Sequence, residues 1–433
     1  MQLFYALPYS DENTSNEDIS ALLRSYTMRN PDHIWNLIEF ADNCSEWANK
    51  LLQELVCPSL NNDATQPNHV KYQGQSRFGS ILTKAALPAN NSALRANTFK
   101  QQGVYLIAGA LGELGMALCE QLLTQFNATL ILLGRRKETQ CSDSLEQLKA
   151  SKQGQVHYLS TDIVCEQSLE EVHKYLDEQG LQLNGILHLG TDFKEDENSW
   201  ADFEHAIQVK MQGSINLDKV FSQTDLDLFV MFSSMAVFGS LNHLSYSYGN
   251  GFQNAFARTR QQQVLKGERH GQTLAINWGY WHSNDPVKSI ENSFAEKKGY
   301  QLITMPDAFD LMQSLLGSEA TNIGALLSQT PDKIYQNTMH LMSRRTTPIQ
   351  KATYSKNIPI EITTSSDIRG AVIKIVSNVI GISAEELDLD CDLYDYGFDS
   401  ISLLKTFQQL KDQLNIELQA DLFKKHEHHI CIY

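Results

Sequence analysis

The sequence predicts an α/β chain: a doubly wound parallel sheet, preceded by a mixed region and followed by a small all-helical domain. Three observations lead there. From Val104 to Gly279, short apolar runs alternate with amphipathic helical stretches, the pattern of strands joined by crossover helices. The chain has 433 residues, too many for one small domain. Beyond Asn337 it turns polar, then acidic, and resumes a helical spacing after Ser400.

The first region, 1–98, reads as a partial structural subdomain. "DHIWNLIEFADNCSEWANKLLQELV" holds an amphipathic helix with Trp47, Leu51, Leu52 and Leu55 at three- and four-residue spacing. "HVKYQGQSRFGSIL" reads as a hairpin around Gln73-Gly74, and the turn-rich "CPSLNNDATQPN" between them as loop. In the second region, 99–330, expected strands are "VYLIAG", "ATLILLG", "QVHYLSTDI", "GILHLG", "LDLFVMFSS" and "QTLAINWG". The helices between them are "MALCEQLLTQF", "SLEEVHKYLDEQ", a long one near Phe203–Phe221 and another near Tyr248–Val264. Residues 331–365, with "RRTTPIQKATYSKNIPIEITTSS", read as a linker. Residues 366–433 hold only a small helical domain, acidic in its middle through Glu385, Glu386, Asp388, Asp390, Asp392, Asp395 and Asp399.

Composition excludes several classes. Hydrophobic residues at 42% and charged residues at 20% describe an ordinary globular protein. A formal net charge of −16 opposes binding to nucleic acid. The seven cysteines, at 44, 57, 119, 141, 165, 391 and 431, form no C-x-x-C pair and read as reduced thiols. The opening "QLFYALPYSDEN" lacks a basic flank and a long apolar core. No run approaches the ~20 apolar residues of a membrane span. A cytoplasmic location is therefore expected.

"GALGELG", Gly109 to Gly115, follows an apolar strand and opens a helix. Glycines at 109, 112 and 115 remove Cβ atoms that would keep backbone N–H groups from a pyrophosphate at a helix N-terminus. A tight strand–helix junction alone also uses such glycines; the βαβ continuation points to a dinucleotide. After the second strand an acid would accept a ribose 2′-hydroxyl. Here "LLGRRK" presents Arg135, Arg136 and Lys137. Guanidinium groups suit a 2′-phosphate, favouring NADPH over NADH; a solvated basic loop is the plain alternative. Asp162, after the third strand, is a candidate adenine-side contact.

"FSSMAVFGSLNHLSYSYGNGFQNAF" carries the candidate chemistry. Ser233 and Ser234 end a strand, at the edge where α/β sheets place ligands. Tyr246 and Asn250 lie four apart, on one helix face. Hydride addition to a carbonyl leaves an alkoxide that needs a proton and a donor to hold its oxygen. A tyrosine beside a lysine ammonium serves as that acid, because the cation favours phenolate. Tyr248 competes for the role, but its spacing from Asn250 puts it on another face.

These residues resemble the ketoreductase domain of modular polyketide synthases, a branch of the short-chain dehydrogenase/reductases. The matching stretches are "GVYLIAGALGELG", "LLGRR", "GILHLG", "VKMQGSINL", "MFSS…YSYGN" and "LAINWGYW". The resemblance implies a Rossmann-like fold with a degenerate Rossmann half before it. It implies Tyr246 as proton donor and Ser234 as hydrogen-bond partner of the carbonyl. Lys210 would be the cation that eases proton loss and holds the ribose, and Asn250 the anchor of a water or proton relay. Gly109, Gly112, Leu114, Gly115, Arg135, Arg136, Asp162, His188 and Gly190 fall on its cofactor-binding stretches. Departures exist: Ala108 replaces a threonine, Thr191 a glycine and "TDFKED" a Leu-Asp-Asp signature. His243 resembles a mark of one stereochemical class, but Phe238 stands where its tryptophan belongs, and the serine–tyrosine segment is one residue short. They leave open a second expectation, a carrier module whose reductase half is silent and serves as scaffold. The first hundred residues resemble the family's degenerate half, shortened at its front.

Ser400 opens the hydrophobic helical set Ile401, Leu403, Leu404, Phe407, Leu410 and Leu414. Serine before a helix is first of all a favoured N-cap. "LYDYGFDSISLL", preceded by "VSNVIGISAEELDLDCDLYDYG", also resembles the core of an acyl carrier domain. That implies 4′-phosphopantetheine on Ser400, placed there by a phosphopantetheinyl transferase, and an acidic surface for basic partner enzymes. In "LQADLFKKHEHHICIY", His426, His428, His429 and Cys431 have ligand chemistry but no second cluster, so no metal site is expected and the carrier reads as shortened. The joint expectation is NADPH-dependent reduction of a carrier-tethered β-ketoacyl thioester, alongside other polyketide synthase modules. A flexible linker of ~25 residues spans about 25–30 Å, which makes substrate capture intramolecular.

Overall fold

The computed structural model describes residues 2–9, 16–30, 33–41, 46–56, 68–85, 98–150, 154–192, 199–240, 243–283, 295–296, 299–342, 365–380, 406 and 409. The chain divides into two compact units. One comprises Met1–Gly279, Ile303–Leu327 and Pro331–Thr346; the other comprises Tyr280–Leu302, Ser328–Thr330 and Thr347–Tyr433.

The first unit is built on a seven-stranded parallel sheet. Its strands are β5 (Val104–Ala108), β6 (Thr129–Gly134), β7 (Gln155–Ser160), β8 (Gly185–His188), β9 (Leu228–Ser234), β10 (Gln272–Trp278) and β11 (Asn322–Ala325). Their spatial order is β11-β10-β9-β8-β5-β6-β7, every neighbouring pair parallel. The chain starts at β5, steps outward to β7, and returns to β8 on the other side. The order therefore reverses between β5 and β8, and the carboxyl ends of those strands border a crevice of the kind that holds ligands.

All five residues of β5 are buried, which requires cover on both faces of the sheet. Helices α3 (Glu113–Phe126), α4 (Ser142–Lys149), α5 (Glu166–Glu178), α6 (Trp200–Val220) and α7 (Leu244–Leu265) follow successive strands. One core cluster joins Leu106, Ile131, Ile186, Phe229 and Met231 of the strands to Leu169, Val172 and Leu176 of α5 and Leu217 of α6. Truncating such a leucine to alanine costs about 2–5 kcal/mol. Caps define the helix ends. Ser199 Oγ accepts from Asp202 N at the start of α6, and Asn127 stops α3 in the left-handed region at φ 52°.

Two elements at this sheet's far side were not expected from the sequence: helix α8 (Met305–Leu316) and edge strand β11. Four residues, "NIGA", are too few to display a period.

The first hundred residues form a second, four-stranded sheet of order β1-β2-β3-β4. It comprises β1 (Gln2–Tyr9), β2 (Ile34–Ala41), β3 (His69–Gln73) and β4 (Ser76–Gly79), with α1 (Glu17–Arg29) and α2 (Trp47–Val56) between strands. β1, β2 and β3 run parallel, as in half of a doubly wound fold. α2 and the hairpin stand where expected, the hairpin closing from Gln73 to Ser76 with Gly74 at φ 57°. β2 gave no alternation because both of its faces are buried, from Trp35 through Ala41.

No break separates this half from the seven-stranded one, since α1 docks on α7 and on the turn before it. Ser25 Oγ donates to Ser247 Oγ at 2.7 Å and accepts from Ser240 N at 2.9 Å. Arg24 Nη1 donates to Val237 O at 2.9 Å, and Glu17 pairs with Arg258. The helices approach so closely that a Cβ on Gly251 would stand 2.8 Å from Asp18 Cα.

One expectation needs correction. The first part of the expected 331–365 linker is helix α9 (Pro331–Met342). Proline suits a first helical turn, and Ile334 and Thr338 are buried one turn apart. Tyr335 Oη donates to Leu82 O at 2.8 Å, while Lys84 pairs with Asp332.

In the second unit, α10 (Ser365–Ile380) buries Ile375, Val376 and Ser377. Ser400, its acidic approach, the face from Ile401 to Leu414 and the His426–Cys431 tail lie outside the described residues. Among the described residues no helix is long and apolar enough to cross a membrane, and no group of three or more His, Cys, Asp or Glu could hold a metal.

Candidate active site

Strand β9, helix α7 and helix α6 carry four of the expected side chains, and Lys210, Tyr246 and Asn250 meet among them. Ser234 is the last residue of β9; its Oγ accepts from Ala236 N at 3.1 Å and caps a short 3₁₀ turn, Met235–Phe238. That bond uses a lone pair and leaves the hydroxyl proton available to an external acceptor. Tyr246 lies in the first turn of α7. Both side chains are partly exposed.

Lys210 comes from α6 and is only 3% exposed. Its Nζ donates to Phe232 O at 2.9 Å and to Gln253 Oε1 at 3.0 Å, and stands 5.7 Å from the centre of the Tyr246 ring. Burial pulls the Lys210 ammonium down to about 7. Two of its three protons are thus taken by fixed acceptors, and the amine is held beside the phenol. Gly249 permits the approach, because the Lys210 side chain passes within 3.2 Å of where its Cβ would be.

Asn250 is fully buried. Its Nδ2 donates to Tyr246 O at 2.7 Å, and its own backbone O accepts from Ser233 Oγ at 3.2 Å. Its Oδ1 has no partner among the described residues, an acceptor suited to a water. Tyr248 faces elsewhere. It hydrogen-bonds Asp18 of α1, and burial together with that carboxylate drives its phenol far upward. Of the two tyrosines, Tyr246 is the one whose ring stands beside Lys210.

The residues expected on the cofactor side fall at the carboxyl ends of β5, β6, β7 and β8. Gly109 has φ 86°, and a Cβ there would stand 2.7 Å from Gly190 N. A Cβ on Gly115 would stand 2.5 Å from the carbonyl oxygens of Gly109 and Ala110. Gly112 is the exposed N-cap of α3. The first intrahelical bond runs from Met116 N to Gly112 O, so the amides of Glu113, Leu114 and Gly115 belong to the turn that a helix N-terminus offers to an anion. A backbone so stripped of side chains fits a dinucleotide pyrophosphate.

His188 sits beneath this floor at 0% exposure. Its Nε2 donates to Val209 O at 3.2 Å, and its Nδ1 accepts from Gly190 N at 3.2 Å. Burial, then the Lys210 charge, pushes the ring down to about 3, so it stays neutral in that tautomer. Its side chain meets the glycine turn through Gly190 N. Asp162 is exposed and spends Oδ1 on Val164 N at 3.0 Å, closing a turn. Arg136 is exposed; Arg135 donates to Asp192 at 3.1 Å.

Three participants escaped the sequence: Gln253, which fixes Lys210; Asp18, which takes Tyr248; and Asp192. Each contact joins positions far apart in the chain, and only Gln253, one turn beyond Asn250, had a spacing signal.

Comparison with known proteins follows the same division. Residues 103–283 match the family model described as the KR domain, and 370–428 that of the phosphopantetheine attachment site. Polyketide synthase PksN of Bacillus subtilis (strain 168) is 25% identical over 380 residues, covering 85% of this chain and 7% of that protein. PksL of the same strain is 26% identical over 425 residues, 94% of this chain and 9% of that one. The 6-methylsalicylic acid synthase of Penicillium patulum is 26% identical over 385 residues, 81% and 21% respectively. The chain thus spans less than a tenth of the Bacillus relatives. Among solved structures, a ketoreductase domain from the bacillaene assembly line superposes with a TM-score of 0.66 at 19% identity, over 78% of this chain and 80% of that one. An A1-type ketoreductase gives 0.64 at 18%, over 80% and 72%. These likenesses establish the fold.

Proposed function

Since this chain carries a KR domain and a phosphopantetheine attachment site and is related to polyketide synthases, we propose that it reduces a carrier-tethered β-ketoacyl thioester to the β-hydroxyacyl thioester with NADPH. The observation that carries the reading is the buried Lys210 amine, fixed by Phe232 O and Gln253 and set 5.7 Å from the Tyr246 ring.

The residues divide the work. Backbone from Gly109 to Gly115 would hold the pyrophosphate, with Gly190 shaping the opposite wall and Arg136 and Arg135 meeting a 2′-phosphate. Asp162 would border the adenine through its second oxygen. The bound nicotinamide supplies hydride to the carbonyl carbon. Ser234 Oγ–H donates to the carbonyl oxygen and holds it. As negative charge grows there, the Tyr246 hydroxyl gives its proton, and the Lys210 ammonium stabilises the phenolate left behind. Asn250, whose side chain bonds the Tyr246 carbonyl, positions that residue and offers Oδ1 to a water that returns the proton. Ser400 would carry the phosphopantetheine arm, attached by a transferase, and so bring the thioester to Tyr246.

Two assays test this. Purified chain given NADPH and a β-ketoacyl N-acetylcysteamine thioester should consume cofactor. A folded, NADPH-binding sample that turns nothing over would instead favour the silent scaffold. Intact-protein mass after coenzyme A and a phosphopantetheinyl transferase should show one added arm in the wild type and none in Ser400→Ala.

A further inference from the structure

Strands β6 and β8 flank β5 in the sheet, so their carboxyl ends stand on either side of the Gly109–Gly115 turn. Two side chains join those ends. Arg135, the first residue after β6, donates from Nη1 to Asp192 Oδ2 at 3.1 Å. Asp192 follows β8, beyond the Gly190 that touches Gly109. The same Oδ2 lies 3.0 Å from Nε2 of His205, on α6. Arg135 and His205 side chains are 54% and 55% exposed, whereas that of Asp192 is 18% exposed. The carboxylate is the sheltered hub of this group, and the guanidinium is its solvent-facing arm.

A pair running from β6 to β8 passes over the end of β5, where the strand order reverses and where such sheets place their ligands. We propose that the Arg135–Asp192 ion pair is a strap over the dinucleotide crevice, and that Asp192 is a specificity-determining residue. The inference rests on the dinucleotide reading above. Asp192 occupies Arg135 until another anion replaces it. A dinucleotide with a 2′-phosphate exchanges one anionic partner for another. A dinucleotide without it must open the strap and gives Arg135 nothing in return. His205 Nε2, 3.0 Å from the same oxygen, stays beside Asp192 when the strap opens, so the carboxylate keeps a close partner. The groups at stake are partly exposed and each pair is weak, so the effects are a few-fold.

The test is titration of the full chain with NADPH and with NADH, read by nicotinamide fluorescence. Asp192→Asn should tighten both by about two- to fivefold. Arg135→Ala should act with opposite signs, weakening NADPH while tightening NADH by about the same factor. The double variant should bind NADH no tighter than either single one. Melting curves without cofactor check that the variants fold, and Asp192→Ala replaces any that does not. Asp192→Asn binding both dinucleotides as wild type or more weakly overturns the strap, and so does Arg135→Ala weakening both. Wild type that binds neither, with binding recovered in Asp192→Asn, supports it. Absence of binding in every chain rejects the dinucleotide reading and the strap with it.

Discussion

The two ends of the crevice are held in opposite ways. At the chemical end, Lys210, Asn250 and Ser233 are almost completely buried, and each is tied to backbone by a hydrogen bond of 3.2 Å or less. At the proposed recognition end, Arg135, Arg136 and Asp162 are exposed, and Arg135 is held by the side chain of Asp192. Buried bonds cannot be exchanged with water without loss, so they fix geometry; exposed ones exchange readily, so they select among anions. On the function proposed above, the contrast assigns positioning to the interior and choice to the rim.

The contrast breaks most visibly at Tyr246. Tyr246→Phe should lower kcat about 10²- to 10⁴-fold while the NADPH dissociation constant stays put, as measured by steady-state turnover beside fluorescence titration. A variant retaining most of its turnover would remove Tyr246 from the chemistry.

Next in size is Ser25→Ala, at a residue bonded to Ser240 within the Ser234–Tyr246 segment and to Ser247 just after it. Leaving those partners unsatisfied should cost about 1–3 kcal/mol in denaturant unfolding, with kcat falling more than NADPH affinity. Equal loss at both ends would mean that α1 supports the whole unit evenly.

The pH profile sharpens the same comparison. The Lys210 ammonium is lost as pH rises through about 7, so turnover in the wild type should fall on the alkaline side, by up to about tenfold per pH unit. Folding responds with the opposite sign. Between about 7 and the ordinary lysine value the unfolded chain holds more protons, so stability rises with pH. Lys210→Met should flatten both curves.

The smallest effect belongs to the rim. Arg136→Ala should weaken NADPH by about two- to fivefold and leave NADH unchanged, and added salt should reduce wild-type NADPH affinity in the same direction. Equal weakening of both dinucleotides would show Arg136 acting on something other than a 2′-phosphate.

Legibility in the sequence followed the same boundary. Five strands of the main sheet showed as apolar runs because both faces are covered, whereas β7, also expected, is an edge strand with no buried residue; the glycines at 109, 112 and 115 marked a turn whose crowding at Gly109 and Gly115 the structure shows directly. Tyr246 and Asn250 were readable from a single helical turn. Gln253 on Lys210, Asp18 on Tyr248 and Asp192 on Arg135 were not, because each is a meeting of elements brought together only by the folded sheet. Strand β2 was missed for the same physical reason that makes it stable: with Trp35 to Ala41 all buried, no alternation remains to be seen.

The contact of α1 with α7 joins residues 222 positions apart. During synthesis on the ribosome, at ~5–20 residues per second, the early helix must wait roughly ten to forty-five seconds before its docking surface has even been made. Until then Ser25, Arg24 and Glu17 lack the partners that they hold in the folded chain.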